Sequence, residues 1–223
     1  ETVKLYTKAS SNKEIIKNYY YLSSENMNQG SVMLPWPGHP DSILLLYTSL
    51  VIFITPDGGA DPACYGLNLA VLSSKTNSGL GKVILRDSIF IKDTIQVGRI
   101  NPVRHANGRD WWMLIGERDS PRFYTILIDQ KGPRVTGQQE VDYPFRNGVG
   151  QCAFSPDGSR FVIFSPVDFK PDGGDFAIFD FDRCTGLLSN HHHYIVTGNF
   201  GGVAVSPNGR YVYQNVRDTA WRY

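Results

Sequence analysis

The chain has 223 residues, enough for one large domain with a sizeable core, and its 22 basic and 21 acidic residues leave a net charge of +1. That balance excludes a general nucleic-acid or anionic-membrane binder, which needs a basic surplus or cluster. The longest apolar run, Ile43 to Ile54, is too short to span a bilayer and reads as buried strand. With 22 Gly and 13 Pro punctuating short β-branched and aromatic segments (12 Tyr, 12 Phe, 4 Trp), the composition predicts an all-β fold.

Taken in chain order, the opening "ETVKLY" is no signal peptide. Asn12 to Leu22 suits a short helix or a strand. Ser31 to Leu50 reads as two strands about the turn "PGHPD", and Tyr65 to Gly81 as a further strand ending in a Gly turn. "RHANGRDWWMLI" (Arg104 to Ile115) then gathers a histidine, arginines and an aspartate against two tryptophans, like an active site. "PRFYTILIDQKG" (Pro121 to Gly132) is a strand with an acidic end and a Gly turn. "FSPDGSRFVIFS" (Phe154 to Ser165), "GDFAIFDFDRCTG" (Gly174 to Gly186) and "VSPNGRYVYQN" (Val205 to Asn215) follow.

Three of these stretches are copies of one unit. Gly108, Gly158 and Gly209 are 50 and 51 residues apart, and each ends an Asx-Gly pair before an aromatic and β-branched strand. The turn signatures are His105, Asn107, Gly108, Trp111 and Trp112; Ser155, Pro156, Asp157 and Gly158; and Ser206, Pro207, Asn208 and Gly209. Asx-Gly suits a tight turn because both residues tolerate positive φ. Four short antiparallel strands in about 50 residues make a propeller blade. A sandwich is the alternative, but it does not predict a turn signature at equal spacing. The expectation is an all-β chain forming one β-propeller region over 1–223, with about four recognisable blades, the first and last incomplete. Closed propellers use about 4–8 blades, so an excerpt of a larger propeller is expected. The longer interval from Gly38 to Gly108 predicts an insertion in the first unit.

The "FSPDG" turn resembles Tol-type and dipeptidyl-peptidase-type propellers, with WD-repeat-like blades. "HANGRDWW", "AIFDFDRCTGLLSN" and "LNLAVLSSKTNSGLGKV" together resemble the propeller regions of secreted and surface proteins of Bacteroidetes. Those proteins carry PKD-type domains and gliding-motility or type IX secretion domains. The resemblance covers about Asn26 to Tyr213 and implies a secreted or cell-surface location, with other domains in a longer parent chain. No catalytic residues come with it.

In a propeller the first-to-second-strand turns lie on one face. The second-to-third-strand loops and the blade linkers lie on the other, usually the ligand face. "HANGRD" therefore reads as a blade turn, with Trp111 and Trp112 pointing to opposite sides of the sheet, one against each neighbouring blade. A turn hydrogen bond from His105 is preferred over general-base catalysis. In "HHH", His191 and His193 share a strand face; catalytic zinc would need a third ligand, and an exposed outer strand is the plainer reading. Asp168, Asp172 and Asp175 in a Gly-rich loop suit calcium, although their spacing misses the regular calcium loop. No other cofactor or metal is expected. Cys64, Cys152 and Cys184 read as free thiols, with a Cys152–Cys184 bridge as the alternative. No GxSxG or phosphate loop occurs.

Function reads first as a non-catalytic binding or display module. Its loops Pro56–Tyr65, Gly116–Phe123, Gly137–Gly150 and Ser165–Asp175 would present Tyr143, Phe145, Phe169 and the three aspartates to a protein or glycan at the cell surface. The alternative is a propeller hydrolase or lactonase with a metal or carboxylate site in the central channel.

Overall fold

The computed structural model describes residues 21–22, 28–54, 60–145, 150–166, 174–196 and 202–214. They form antiparallel sheets that follow one another along the chain. The first blade is β2 (Ser31–Pro35), β3 (Ser42–Ile54), β4 (Ala60–Ser73) and β5 (Lys82–Ile95), with β1 (Tyr21–Leu22) added beside the far end of β3. The second is β6 (Pro102–Arg104), β7 (Trp111–Gly116), β8 (Ser120–Asp129) and β9 (Gly132–Phe145). The third is β10 (Gln151–Phe154), β11 (Arg160–Pro166), β12 (Gly174–Asp182) and β13 (Leu187–Val196). A fourth begins as β14 (Val203–Val205) and β15 (Val212–Gln214). Each complete blade is a meander in chain order, so the fold is of the β-propeller type.

Period-two alternation buries both faces of the middle blades, because each blade packs on two neighbours. Leu44, Leu46, Met113, Ile115 and Ile126 meet between blades one and two. Trp112, Leu114, Phe123, Phe161, Ile163 and Phe179 meet between blades two and three. Val162, Phe164 and Phe176 turn the other way, onto Val203 of the fourth blade. Burial of each such side chain is worth about 1.5–3 kcal/mol. Trp111 packs against the first of these cores and Trp112 lies in the second.

Much of the extra length of the first unit is strand. β3, β4 and β5 have 13, 14 and 14 residues, against 7, 9 and 10 for β11, β12 and β13.

The blades are also joined by a repeated polar device. The turn after the third strand of one blade docks on the first turn of the blade before it. Between blades one and two, the Trp36 indole N–H donates to the Asp129 carbonyl (3.1 Å) and His39 Nε2 lies 3.0 Å from the Gln130 carbonyl. Between blades two and three, the Trp112 indole donates to the Arg183 carbonyl (2.9 Å). The Arg183 guanidinium in turn donates to the carbonyls of Arg104 (2.8 Å), Asp157 (2.8 Å) and His105 (3.2 Å).

Candidate functional site: a buried polar wedge between the second and third blades

The turn face is built from self-contained turns. Asn107 Oδ1 accepts from the N–H groups of Arg109 and Asp110 (3.0 Å each), and Asn107 Nδ2 donates to Asp110 (2.7 Å). Asp157 and Asn208 accept in the same way from the N–H groups of Ser159 (3.0 Å) and Arg210 (3.1 Å). The Ser155 and Ser206 hydroxyls donate to those Asx side chains and accept from the N–H groups of Arg160 and Tyr211 (2.9 Å each). His105 stands in the serine's place: its Nδ1 accepts the Asn107 N–H (3.0 Å) and its ring stacks on Trp112. Gly108, Gly158 and Gly209 have φ of 72°, 72° and 70°, the left-handed conformation that favours glycine. Arg109 pairs with Asp110 (2.8 Å), and the Arg104 guanidinium lies over the Trp111 ring (3.5 Å). Bonds from Ser155 and Ser159 hold the Asp157 carboxyl down at about 2. Those from Arg109 and Asn107 hold Asp110 below its usual range. Every conspicuous polar side chain of "HANGRD" is thus engaged in holding a turn.

The other end of the second and third blades is different. Gln96 to Ile100, the linker between blades one and two, is wholly buried although it carries a glutamine and an arginine. Gly98 and Arg99 both adopt positive φ (72° and 65°), an arrangement a side-chain-bearing residue rarely tolerates. It turns the Arg99 guanidinium onto Gly150, where an added Cβ would stand 2.4 Å from a guanidinium nitrogen. Burial pulls Arg99 down to about 10, against the opposing influence of Cys152, Cys64 and Asp175, so it stays cationic at neutral pH. The Cys152 thiol donates to the Arg99 carbonyl (3.1 Å), and burial pushes it up to about 12.

Strand alternation places three more polar side chains in the same wedge. On β7, Trp112 and Leu114 face the third blade, so the Cα–H of Gly116 that a side chain would replace points there too. The Gln96 amide fills that space, 2.4–2.6 Å from where a Cβ would lie. On β11, Phe161 and Ile163 face the second blade, and Ser165 shares their side. Asp175 pairs with Ser165 across β11 and β12 and is 1% exposed. Its Oδ1 lies 3.4 Å from His193 Nε2 on β13. Gln96, Arg99, Ser165, Asp175 and His193 thus line the end of the wedge remote from the turns.

The predicted residues fall as follows. Asp175 is in the wedge, buried rather than displayed. Asp168, Phe169 and Asp172 lie outside the described residues, as do the side chains of Tyr143 and Phe145. His191 and His193 do share a face, with ring centroids 6.4 Å apart, but His191 stacks on Phe179 and His193 meets Asp175; His192 is exposed. Among the described residues no group of three or more His, Cys, Asp or Glu is placed to hold a metal. Cys64 and Cys152 are buried and Cys184 exposed, and none of the three is in a disulfide, so the bridge alternative is corrected. Among the described residues no helix is long and apolar enough to cross a membrane. Sequence reasoning missed Gln96, Arg99 and Ser165. A signal was present: two large polar residues in an apolar blade linker, on the side where ligands usually enter.

No known family matches the chain, and no curated protein does. A solved structure from Bacteroides fragilis, described as a putative 6-phosphogluconolactonase, is similar at 14% identity and a TM-score of 0.47. The similarity covers 84% of this chain and 63% of that one, so the chain spans less than two thirds of its length. At that level it transfers no substrate and no site residue. The non-catalytic display reading is corrected on the structure. Gly137 to Phe145 and Ala60 to Tyr65 are strand, and within Gly116 to Phe123 only Glu117 to Asp119 join β7 to β8, with Glu117 paired to Arg122 (2.7 Å). Asp175 faces inward.

Proposed function

We propose that the chain is the propeller part of a hydrolase, with its chemistry in the wedge between blades two and three. The observation that carries this reading is the burial of Arg99, Ser165 and Asp175, with the half-buried His193 beside Asp175, on the side opposite the self-contained turns. In such a site fixed charges act at low dielectric, where they are worth far more than in water.

The roles follow from position. Asp175 orients the His193 ring, and the pair takes a proton from water. The hydroxide so formed adds to an ester or lactone carbonyl carbon. Arg99 stabilises the oxyanion that develops. Collapse breaks the C–O bond, and the proton passes from the pair to the leaving alkoxide. Ser165 makes no hydrogen bond to His193, so the arrangement is not an activated-serine one. The resemblance of the blade motifs to surface-protein propellers supports a secreted or cell-surface location for such an enzyme.

The test is a panel of carboxylic esters and lactones offered to the purified chain, with Arg99→Met as control. Turnover that falls about a hundredfold or more in the variant is the expected result. No turnover on any member of the panel, or turnover unchanged in Arg99→Met, contradicts the reading.

A further inference from the structure

We infer that the wedge takes an uncharged, hydroxyl-rich small molecule, a sugar or polyol, and that Gln96 and Ser165 are the groups that touch it; this rests on the wedge being the site of chemistry. Gln96 is 1% exposed, and among the described residues neither its Oε1 nor its Nε2 has a hydrogen-bond partner. Ser165 is 0% exposed, and its Oγ has none either among the described residues. A buried polar group without a partner is destabilising, and an apolar side chain of the same shape would remove the cost. Two such groups facing one wedge are what a site tuned to a ligand looks like, with stability given up for binding. Gly116 belongs to the arrangement, because any side chain there would strike the Gln96 amide.

The donor and acceptor inventory sets the ligand's chemistry. Gln96 offers two donors and an acceptor, and Ser165 a donor and an acceptor. Hydroxyl groups, which both donate and accept, match this set. A carboxylate would confront Gln96 Oε1 with an acceptor, and an ammonium group would leave Nε2 unsatisfied. The charges nearby oppose one another, Arg99 against Asp175, so the wedge has no surplus to draw an ion.

The experiment uses the full chain. Calorimetric titration with glucose, galactose and mannitol is set against glucuronate and glucosamine, and repeated on Gln96→Met and Ser165→Ala. Melting temperatures without sugar are measured on all three proteins. At least one neutral sugar is expected to bind about tenfold tighter than either charged one. Each variant should bind about tenfold more weakly, yet melt about 2–4 °C higher because a buried unsatisfied group is gone. Variants that melt lower, tighter binding of glucuronate or glucosamine, or no binding of any sugar would overturn the inference. Binding is read without turnover, so a wedge that binds sugar but hydrolyses nothing fails the enzyme reading alone. Ester hydrolysis without sugar binding fails this one alone.

Discussion

The two ends of the second and third blades are built on opposite principles. At the turn end, Asn107, Asp157 and Asn208 each bind the backbone beside them, and His105, in the serine's position, accepts the Asn107 N–H. At the wedge end, Gln96 and Ser165 are buried with no side-chain partner among the described residues, and Arg99 is buried with left-handed backbone. The first arrangement lowers the energy of the fold. The second raises it, and is retained only if something other than stability selects it. A dense cluster of charges in a sequence is therefore a poorer guide to chemistry than a few polar groups that the fold leaves unsatisfied.

Substitutions at the turn end should change stability and little else. Trp112→Ala has the largest expected effect: it empties space in the core between blades two and three and removes the bond to the Arg183 carbonyl. A loss of about 3–5 kcal/mol is expected, read by urea unfolding. A loss below about 1 kcal/mol would show that the blades are not held there. Arg183→Ala is next, removing three bonds to carbonyls of the two adjoining first turns. Because the side chain is partly exposed, about 1–2 kcal/mol is expected.

Asp157→Asn gives a smaller, pH-dependent effect. The carboxyl sits at about 2 in the folded chain against an ordinary 3.8. Its contribution is therefore fully present above about 4 and is lost as pH falls toward about 2. The residue is exposed, so the contribution at neutral pH should stay under about 1 kcal/mol. Melting curves from pH 7 to pH 2 should converge for the two proteins at the acid end. Divergence on acidification would reverse the sign. His105→Ala is expected to cost least, under about 1 kcal/mol, and to leave hydrolysis unchanged.

The blade architecture was legible because it is local and repeated. Asn107-Gly108, Asp157-Gly158 and Asn208-Gly209 mark turns by their own chemistry, and the 50-residue spacing marks the stacking unit. The opposed roles of Trp111 and Trp112 follow from period-two geometry alone. The site was not legible in the same way. Ser165 and Asp175 are brought together by strand pairing, and the Gln96 amide has its place only because Gly116 has no side chain. Nothing in the sequence near Gln96 or Arg99 records that their neighbours come from residues 116 and 150. The display reading arose from the same gap: stretches of β4 and β9 carry loop-like Gly and Pro but are held in strand by long cross-strand registers.

The central claim is that chemistry resides in the wedge and not at the turns, and a matched pair of aspartate substitutions tests it most directly. Asp175 and Asp110 are both buried carboxylates, one at each end. The measurement is kcat/KM for ester and lactone hydrolysis in Asp175→Asn and Asp110→Asn, side by side. A loss of about a hundredfold or more in Asp175→Asn, with Asp110→Asn within about twofold of the unsubstituted chain once its lower stability is allowed for, is the predicted result. The opposite pattern, with Asp110→Asn inactive and Asp175→Asn unimpaired, would return the active site to "HANGRD" and contradict the account.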